Sequence, residues 1–260
     1  MDEKEQEARR YVTERFPRAT AAERKKIVED WLAKDLVAEG IADDFERRVG
    51  PLAGLRVLDS GSGPGGIGIA FAARGATVDG VDIEPELINI SVRDAARRGS
   101  SAHFALYEGR TLPFSDGSFD AAVSVSVIEH VDEPVRYFAE LLRVMKAGGH
   151  LYLGFPNRLN PKETHTGLWF LSYLPLSAAR LYVKLTGRNP LEDNGLHFYT
   201  YWAVKRFLRE SAYDGRTWHL VSEEGRSRNP LKRATKSVLR ALGIPYQAFL
   251  PHVMLILEAR

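Results

Sequence analysis

Two hydrophobic periods alternate along the chain. Near-continuous apolar runs end at Asp59 and cover 77–82, 103–107, 119–127 and 150–155, each too short for a helix and bounded by glycine or polar residues. Between them, apolar residues recur every three or four positions, which predicts helices at 67–74, 84–98 and 134–144. Gly75 and Gly99 close the first two; Pro134 opens the third, which is expected to close near Gly148-Gly149. Strands apolar along their whole length, alternating with helices, predict a parallel sheet covered on both faces. Further on, a helix is expected at 199–211 and two last strands at 218–223 and 252–258.

Positions 1–50 carry only the helical period. Ile27, Trp31, Ile41, Phe45 and Val49 share its spacing, and Thr20 with Glu23 forms a capping-box pattern. The organisation expected is a helical cover over 1–50 and one α/β domain over 51–260. The cover is expected partly to pack Trp31 and its neighbours on the sheet and partly to fold over the ligand edge. The alternation breaks at 156–198, a connection far longer than usual and therefore read as an inserted lid. Its middle, 168–185, is LWFLSYLPLSAARLYVKL, too short and too interrupted by Pro175, Arg180 and Lys184 to span a bilayer. It suits a lid that packs inward or a segment that dips into a membrane interface.

The stretch 57–66, VLDSGSGPGG, carries the chemistry. A buried strand ends in Asp59, and Gly61, Gly63, Gly65 and Gly66 follow before the next helix. Such a turn lets a ligand approach the backbone where no Cβ intervenes. It formally matches the dinucleotide pattern Gly-x-Gly-x-x-Gly, which taken alone is weak. Two more acids stand at the ends of successive strands: Asp82, suited to a ribose diol, and Glu108. Three acids on one edge of one sheet outweigh any of them taken singly.

Asp59 ahead of the glycines and Pro64 within them resemble motif I, VLDxGxGxG, of the class I S-adenosylmethionine (SAM) methyltransferases. The run 112–131, LPFSDGSFDAAVSVSVIEHV, resembles the LPFxDxSFDxVxSxxxxEHV signature of the group that includes the ubiquinone- and menaquinone-pathway enzymes. The resemblance spans about 55–155. It implies a Rossmann-like fold with a mostly parallel seven-stranded sheet and an antiparallel last strand, with SAM as cofactor. It further implies that Asp59, Gly61, Ser62, Gly63 and Gly65 hold the methionine end and Asp82 the ribose. Ile83 then lies on one adenine face, Glu108 before Gly109 meets the adenine amino group where Asp is commoner, and Ser126 closes the other side.

An oxygen acceptor needs its proton removed, and His130, after the fourth strand, is the candidate base. His165, His197 and Tyr199 bracket the insertion and stand by as alternatives. Glu129, Asp132 and Glu133 offer oxygen ligands but no metal pattern, so no metal is expected.

Composition narrows the rest. The 260 residues are 44% hydrophobic, enough for a core, and the net charge of +2 exerts no global pull on nucleic acid. The absence of cysteine excludes disulfides, thiolate zinc and cysteine nucleophiles. The charged start, MDEKEQEARR, has no secretory character, so a cytoplasmic location is expected, and the basic run Arg226, Arg228, Lys232, Arg233, Lys236 and Arg240 adds the option of a membrane-peripheral one. Those cations suit an anionic lipid head group better than RNA or DNA, since no aromatic residues interleave them. The expected activity is methyl transfer to a small or lipid-linked hydroxyl acceptor, with peripheral membrane contact. The rivals are an NAD(P)-dependent oxidoreductase on the same turn and a SAM-binding regulator without catalysis.

Overall fold

The computed structural model describes residues 3–17, 19–163, 167–186, 197–223, 239, 241–242 and 245–260. The apolar runs become β1 (Arg56–Ser60), β2 (Thr77–Asp82), β3 (His103–Leu106), β4 (Phe119–Val125) and β5 (Met145–Pro156). Three more follow: β6 (Ala212–Tyr213), β7 (Arg216–Glu223) and β8 (His252–Ala259). They form one sheet in the order β3-β2-β1-β4-β5-β8-β7-β6. The first five strands are parallel, and β8 runs antiparallel between β5 and β7. The strand beyond the expected seven is β6, a two-residue rim paired with the start of β7. Strand order reverses between β1 and β4, and the crevice at such a switch point is where this architecture takes ligands.

Neighbouring residues of one strand face opposite layers. Leu58 joins Val81, Ala122, Leu151 and Leu153 beneath Phe138, Leu141 and Leu142 of α5 (Pro134–Val144) and Val204 and Leu208 of α7 (Tyr201–Glu210). Val57 joins Val78, Ala121 and Val123 on the other face, beneath Ile69 and Phe71 of α3 (Gly66–Ala73). Ile41 and Phe45 of the long helix α2 (Ala21–Arg48) complete that layer.

Two boundaries differ from the pattern. Helix α5 runs directly into β5 at Met145 instead of closing at Gly148-Gly149. Met145 pairs with Phe119, and residues 146–149 bulge out before His150 pairs with Ala121. Strand β4 stops at Val125 and not at 127, because Ser126 takes a φ of 58° and turns the chain.

The capping box of α2 is complete: the Thr20 side chain accepts from the Glu23 N–H, and the Glu23 carboxylate accepts from the Thr20 N–H. Trp31 does not pack on the sheet. It packs at a tilt against Tyr11 of α1 (Glu3–Arg15), 4.8 Å between centroids, in a cluster with Ile90 of α4 (Pro85–Arg97). Only the second half of α2 reaches the sheet layer. Charge ties α1 to α4 as well. Buried Asp94 takes Lys4 at 3.3 Å and Arg98 at 3.1 Å, and Glu7 bonds Arg97 at 3.0 Å. Tyr11 donates to Glu84 at 3.0 Å, next to Ile83 on the ligand edge.

The ring of Phe104 sits where three glycines leave room. A Cβ on Gly65, Gly68 or Gly80 would come within 2.9, 3.1 and 2.4 Å of that ring. Overpacking of this kind typically costs about 1–3 kcal/mol. Gly80→Ala is therefore expected to lower the unfolding free energy by an amount in that range, read as a lower urea midpoint, and an unchanged midpoint would show that the ring moves freely aside.

Candidate active site

The glycine turn is built on the end of β2. The N–H groups of Gly61 and Ser62 both donate to the Val81 carbonyl, at 2.8 and 3.0 Å. Gly63 N–H donates to Asp82 Oδ2 at 2.8 Å, and Glu84 N–H donates to Oδ1 of the same carboxylate at 3.0 Å. Gly61, Gly63 and Gly65 all have left-handed φ, 75°, 53° and 86°, which glycine alone adopts without strain. Their surroundings differ. A Cβ on Gly61 would strike Val127 at 2.4 Å and one on Gly65 would strike Ser91 at 2.7 Å, whereas one on Gly63 would meet nothing within 4 Å. Gly63 therefore opens onto free space, and the other two meet protein.

Ser62 is buried, and its hydroxyl finds no hydrogen-bond partner among the described residues. An unmet buried hydroxyl beside an open glycine is a polar cradle awaiting a ligand. Asp59 is buried beneath the turn, with Oδ2 accepting from Gly68 N–H at 2.9 Å. Burial pushes its carboxyl up to about 7; the Gly68 bond opposes this and the nearby Asp82 charge adds to it.

The remaining predicted residues lie on the same edge. Ile83 is exposed, and a Cβ on Gly109 (φ 83°) would lie 3.1 Å from it, so the two adjoin. Glu108 is exposed, and its carboxylate accepts from the N–H groups of Arg110 at 2.7 Å and Thr111 at 2.8 Å. Those bonds hold its pKa below the usual range. Tyr107, just before it, is largely buried, and its hydroxyl is pushed up to about 12 by burial and by the charges of Asp82 and Glu108. Ser126 N–H donates to Gly154 at 2.9 Å, which sets the rim after β4. His130 ends a single helical turn on that rim and is exposed. His165 lies outside the described residues, as does the basic run except for the stretches flanking it.

Three arrangements carried no sequence signal. Tyr137 of α5 bonds Ser60 at 3.0 Å and Ser124 at 2.8 Å, joining the ends of β1 and β4 beneath the crevice. His197 Nε2 lies 3.1 Å from Asp132 Oδ1, and its ring stacks on Tyr199. Phe104 underlies the turn. Each joins residues far apart in the chain, and only the bracketing position of His197 hinted at one of them. Among the described residues no three His, Asp or Glu side chains come together as metal ligands, and no helix is long and apolar enough to cross a membrane.

Known proteins share this sequence pattern and fold. Residues 58–153 match a family model described as a methyltransferase domain. The chain is 33% identical over 198 residues to an uncharacterized methyltransferase of Mycolicibacterium vanbaalenii, spanning 70% of this chain and 76% of that one. It is 28% identical over 182 residues to a ubiquinone biosynthesis O-methyltransferase of Cereibacter sphaeroides, spanning 63% and 73%. The magnesium protoporphyrin IX methyltransferase of Synechocystis, with S-adenosylhomocysteine bound, matches the fold over 95% of both chains with a TM-score of 0.58 at 15% identity. A glycine turn at the switch point of such a sheet, with acids on successive strand ends, is the site of a class I methyltransferase. The chain belongs to that family, and its cofactor is S-adenosyl-L-methionine. The oxidoreductase reading of the turn is thereby set aside.

Two predictions arise from the turn. Gly63→Val is expected to abolish SAM binding, because its side chain enters the open space beside the turn, and to cost some stability, because a branched residue is strained at a φ of 53°. Asp82→Ala should weaken binding by about 1.5–3 kcal/mol, the range for a lost charged acceptor. Calorimetric titration of SAM checks both, and normal affinity in either folded variant would contradict the assignment.

A third prediction concerns pH. The unfolded Asp59 carboxyl titrates near 3.8 and the folded one at about 7, so between those values the native state holds a proton the unfolded chain has released. The resulting stability is complete below about pH 4 and is lost as pH rises through 7. Urea unfolding without cofactor should therefore show Asp59→Asn gaining on the wild type from pH 5 to pH 7.5. A constant difference would show that the carboxyl titrates normally.

Proposed function

We propose that the chain methylates a hydroxyl oxygen on a small or lipid-linked acceptor, and that the lipid-linked class is its natural one. The observation that carries this reading is the outer face of the insertion. Leu168 and Leu171 pack with Ala179 and Val183 of α6 (Leu176–Leu185), so the inward face of the insertion is closed. Its other side leaves Trp169, Phe170, Leu181 and Leu185 at 57, 59, 56 and 76% exposure. Large apolar side chains left outward beside Arg180 and Lys184 are the composition of an interfacial segment. The likeness to a relative named as an O-methyltransferase supports oxygen as the receiving atom.

SAM supplies a methyl carbon already activated by a sulfonium leaving group. What remains for the protein is to align the acceptor, exclude water and accept a proton. Asp59, Gly61, Ser62, Gly63 and Gly65 hold the methionine end in this reading. Asp82 takes the ribose, Ile83 and Gly109 border the adenine, and Glu108 faces its amino group. Ser126 closes the other side of the adenine, and His130 stands on the acceptor rim. The N-terminal helices cover the adenine edge through the Tyr11–Glu84 contact.

Incubating the protein with methyl-labelled SAM and a cell extract, then separating aqueous from lipid fractions, tests the proposal. The label is expected in a lipid-soluble methyl ether. Label confined to water-soluble products would leave the small-acceptor reading, and label on nitrogen or carbon would refute oxygen transfer. Co-sedimentation with vesicles containing anionic lipid should be strong at low salt and fall as salt screens the exposed cations. Replacing Trp169 and Phe170 with Ser should weaken it, and no vesicle binding at low salt would remove the membrane part of the proposal.

A further inference from the structure

We infer that His197, oriented by Asp132, is the general base that receives the acceptor proton; this rests on the oxygen-acceptor reading above. After β4 the chain turns at Ser126 and forms the rim 127–132, whose Val127 adjoins Gly61 of the glycine turn and which is the acceptor side in the proposed function. The segment leaving the insertion is fastened to that rim at three points. His197 N–H donates to the Glu129 carbonyl at 2.7 Å, the Tyr199 hydroxyl donates to the Val131 carbonyl at 3.4 Å, and His197 Nε2 meets Asp132 Oδ1 at 3.1 Å. Phe198, between them, packs instead against the insertion's buried cluster of Leu168, Leu171, Ala179 and Val183. His197 thus stands where the insertion meets the acceptor rim, with the residue after it anchored in the insertion's own core.

The ring is set as a base needs to be. An ionised carboxylate only accepts, so Nε2 carries the hydrogen and Nδ1 keeps its lone pair. Tyr199 stacks on the ring at 5.6 Å between centroids and 19° between planes, which fixes the plane in which Nδ1 points. The side chain is 37% exposed, so an acceptor can reach it. The step balances. As the acceptor oxygen bonds to the methyl carbon, the carbon–sulfur bond breaks, its electron pair stays on sulfur, and the hydroxyl proton passes to Nδ1. The positive charge lost at the sulfonium reappears on the imidazole beside Asp132 and leaves as a proton to water. His197 is the catalytic residue in this assignment and Asp132 its positioning residue; His130, on the same rim, is the competing base.

The test uses the full chain, SAM and a series of ring-substituted phenols of graded acidity. His197→Asn is expected to lower kcat by about 10²–10⁴-fold on the least acidic phenol, the range for a lost general base. The deficit should shrink as the phenol becomes acidic enough to ionise unaided, while the SAM dissociation constant from calorimetry stays unchanged. Asp132→Asn should give a smaller loss. Independently of turnover, ¹⁵N shifts of the His197 ring should show the Nε2–H tautomer in the wild type and a smaller share of it in Asp132→Ala, which leaves no acceptor at that position. Full kcat in His197→Asn, or an Nδ1–H tautomer in the wild type, overturns the assignment. An acidity-dependent loss in His130→Asn without one in His197→Asn moves the base to His130. If the wild type binds SAM yet methylates no hydroxyl in the series or in a lipid extract, the oxygen-acceptor reading itself falls, and this assignment with it.

Discussion

The carboxylate of Asp82 is the joint on which the site depends. Its two oxygens accept from Gly63 and Glu84, so one side chain holds the glycine turn against the end of β2 and starts the chain toward α4. The turn needs such a tie because its left-handed glycines give the chain great freedom when unfolded. The paired N–H bonds from Gly61 and Ser62 to Val81 add a backbone tie at the same place. In the proposed assignment several cofactor-facing residues are positioned from this corner: Gly63 opens into the crevice, Ile83 and Gly109 lie to one side, and Asp59 lies below.

Around that corner the protein is fastened by contacts of different character. The sheet layers are apolar and continuous. The N-terminal cover combines a small cluster around Trp31 with ion pairs from Lys4 and Glu7 to α4. The insertion is sewn to the sheet edge by main-chain and amide bonds. The Asn157 side-chain amide donates to the carbonyls of Ala248 and Leu250 at 2.8 and 2.9 Å, and its main-chain N–H donates to Pro251 at 2.9 Å. The two flanking pieces can therefore respond to salt and to surroundings without disturbing the core.

Much of the fold was legible because its signals are local. Pro134 marks the start of α5, since a ring-locked φ and a missing N–H suit a first helical turn. The Thr20–Glu23 box announces α2 in the same way. The end of β4 was not legible, because a serine with positive φ has no compositional mark. Nor was the bulge at 146–149, which depends on Met145 finding Phe119 on another strand. Trp31 shows the limit of periodicity: the spacing says which helix face is apolar, not whether a sheet or another helix covers it. For the site, acids at strand ends could be read from the chain, and the structure puts Asp59, Asp82 and Glu108 on one edge. The Asp132–His197 contact could not, since it joins residues 65 positions apart across the insertion.

The ring of Phe104 gives the glycine-rich signature a second meaning. Gly65, Gly68 and Gly80 lie on α3, its cap and β2, and all three leave space for one aromatic side chain from β3. Part of what looks like a nucleotide fingerprint is thus an internal socket, with Gly63 alone among the three turn glycines tested by Cβ geometry opening toward solvent space. The four residues form a single unit of inheritance. A descendant with a small residue at 104 would lift the tightest constraint on Gly80, whereas Gly65 would stay held by Ser91 and its left-handed φ, and Gly63 by its own φ.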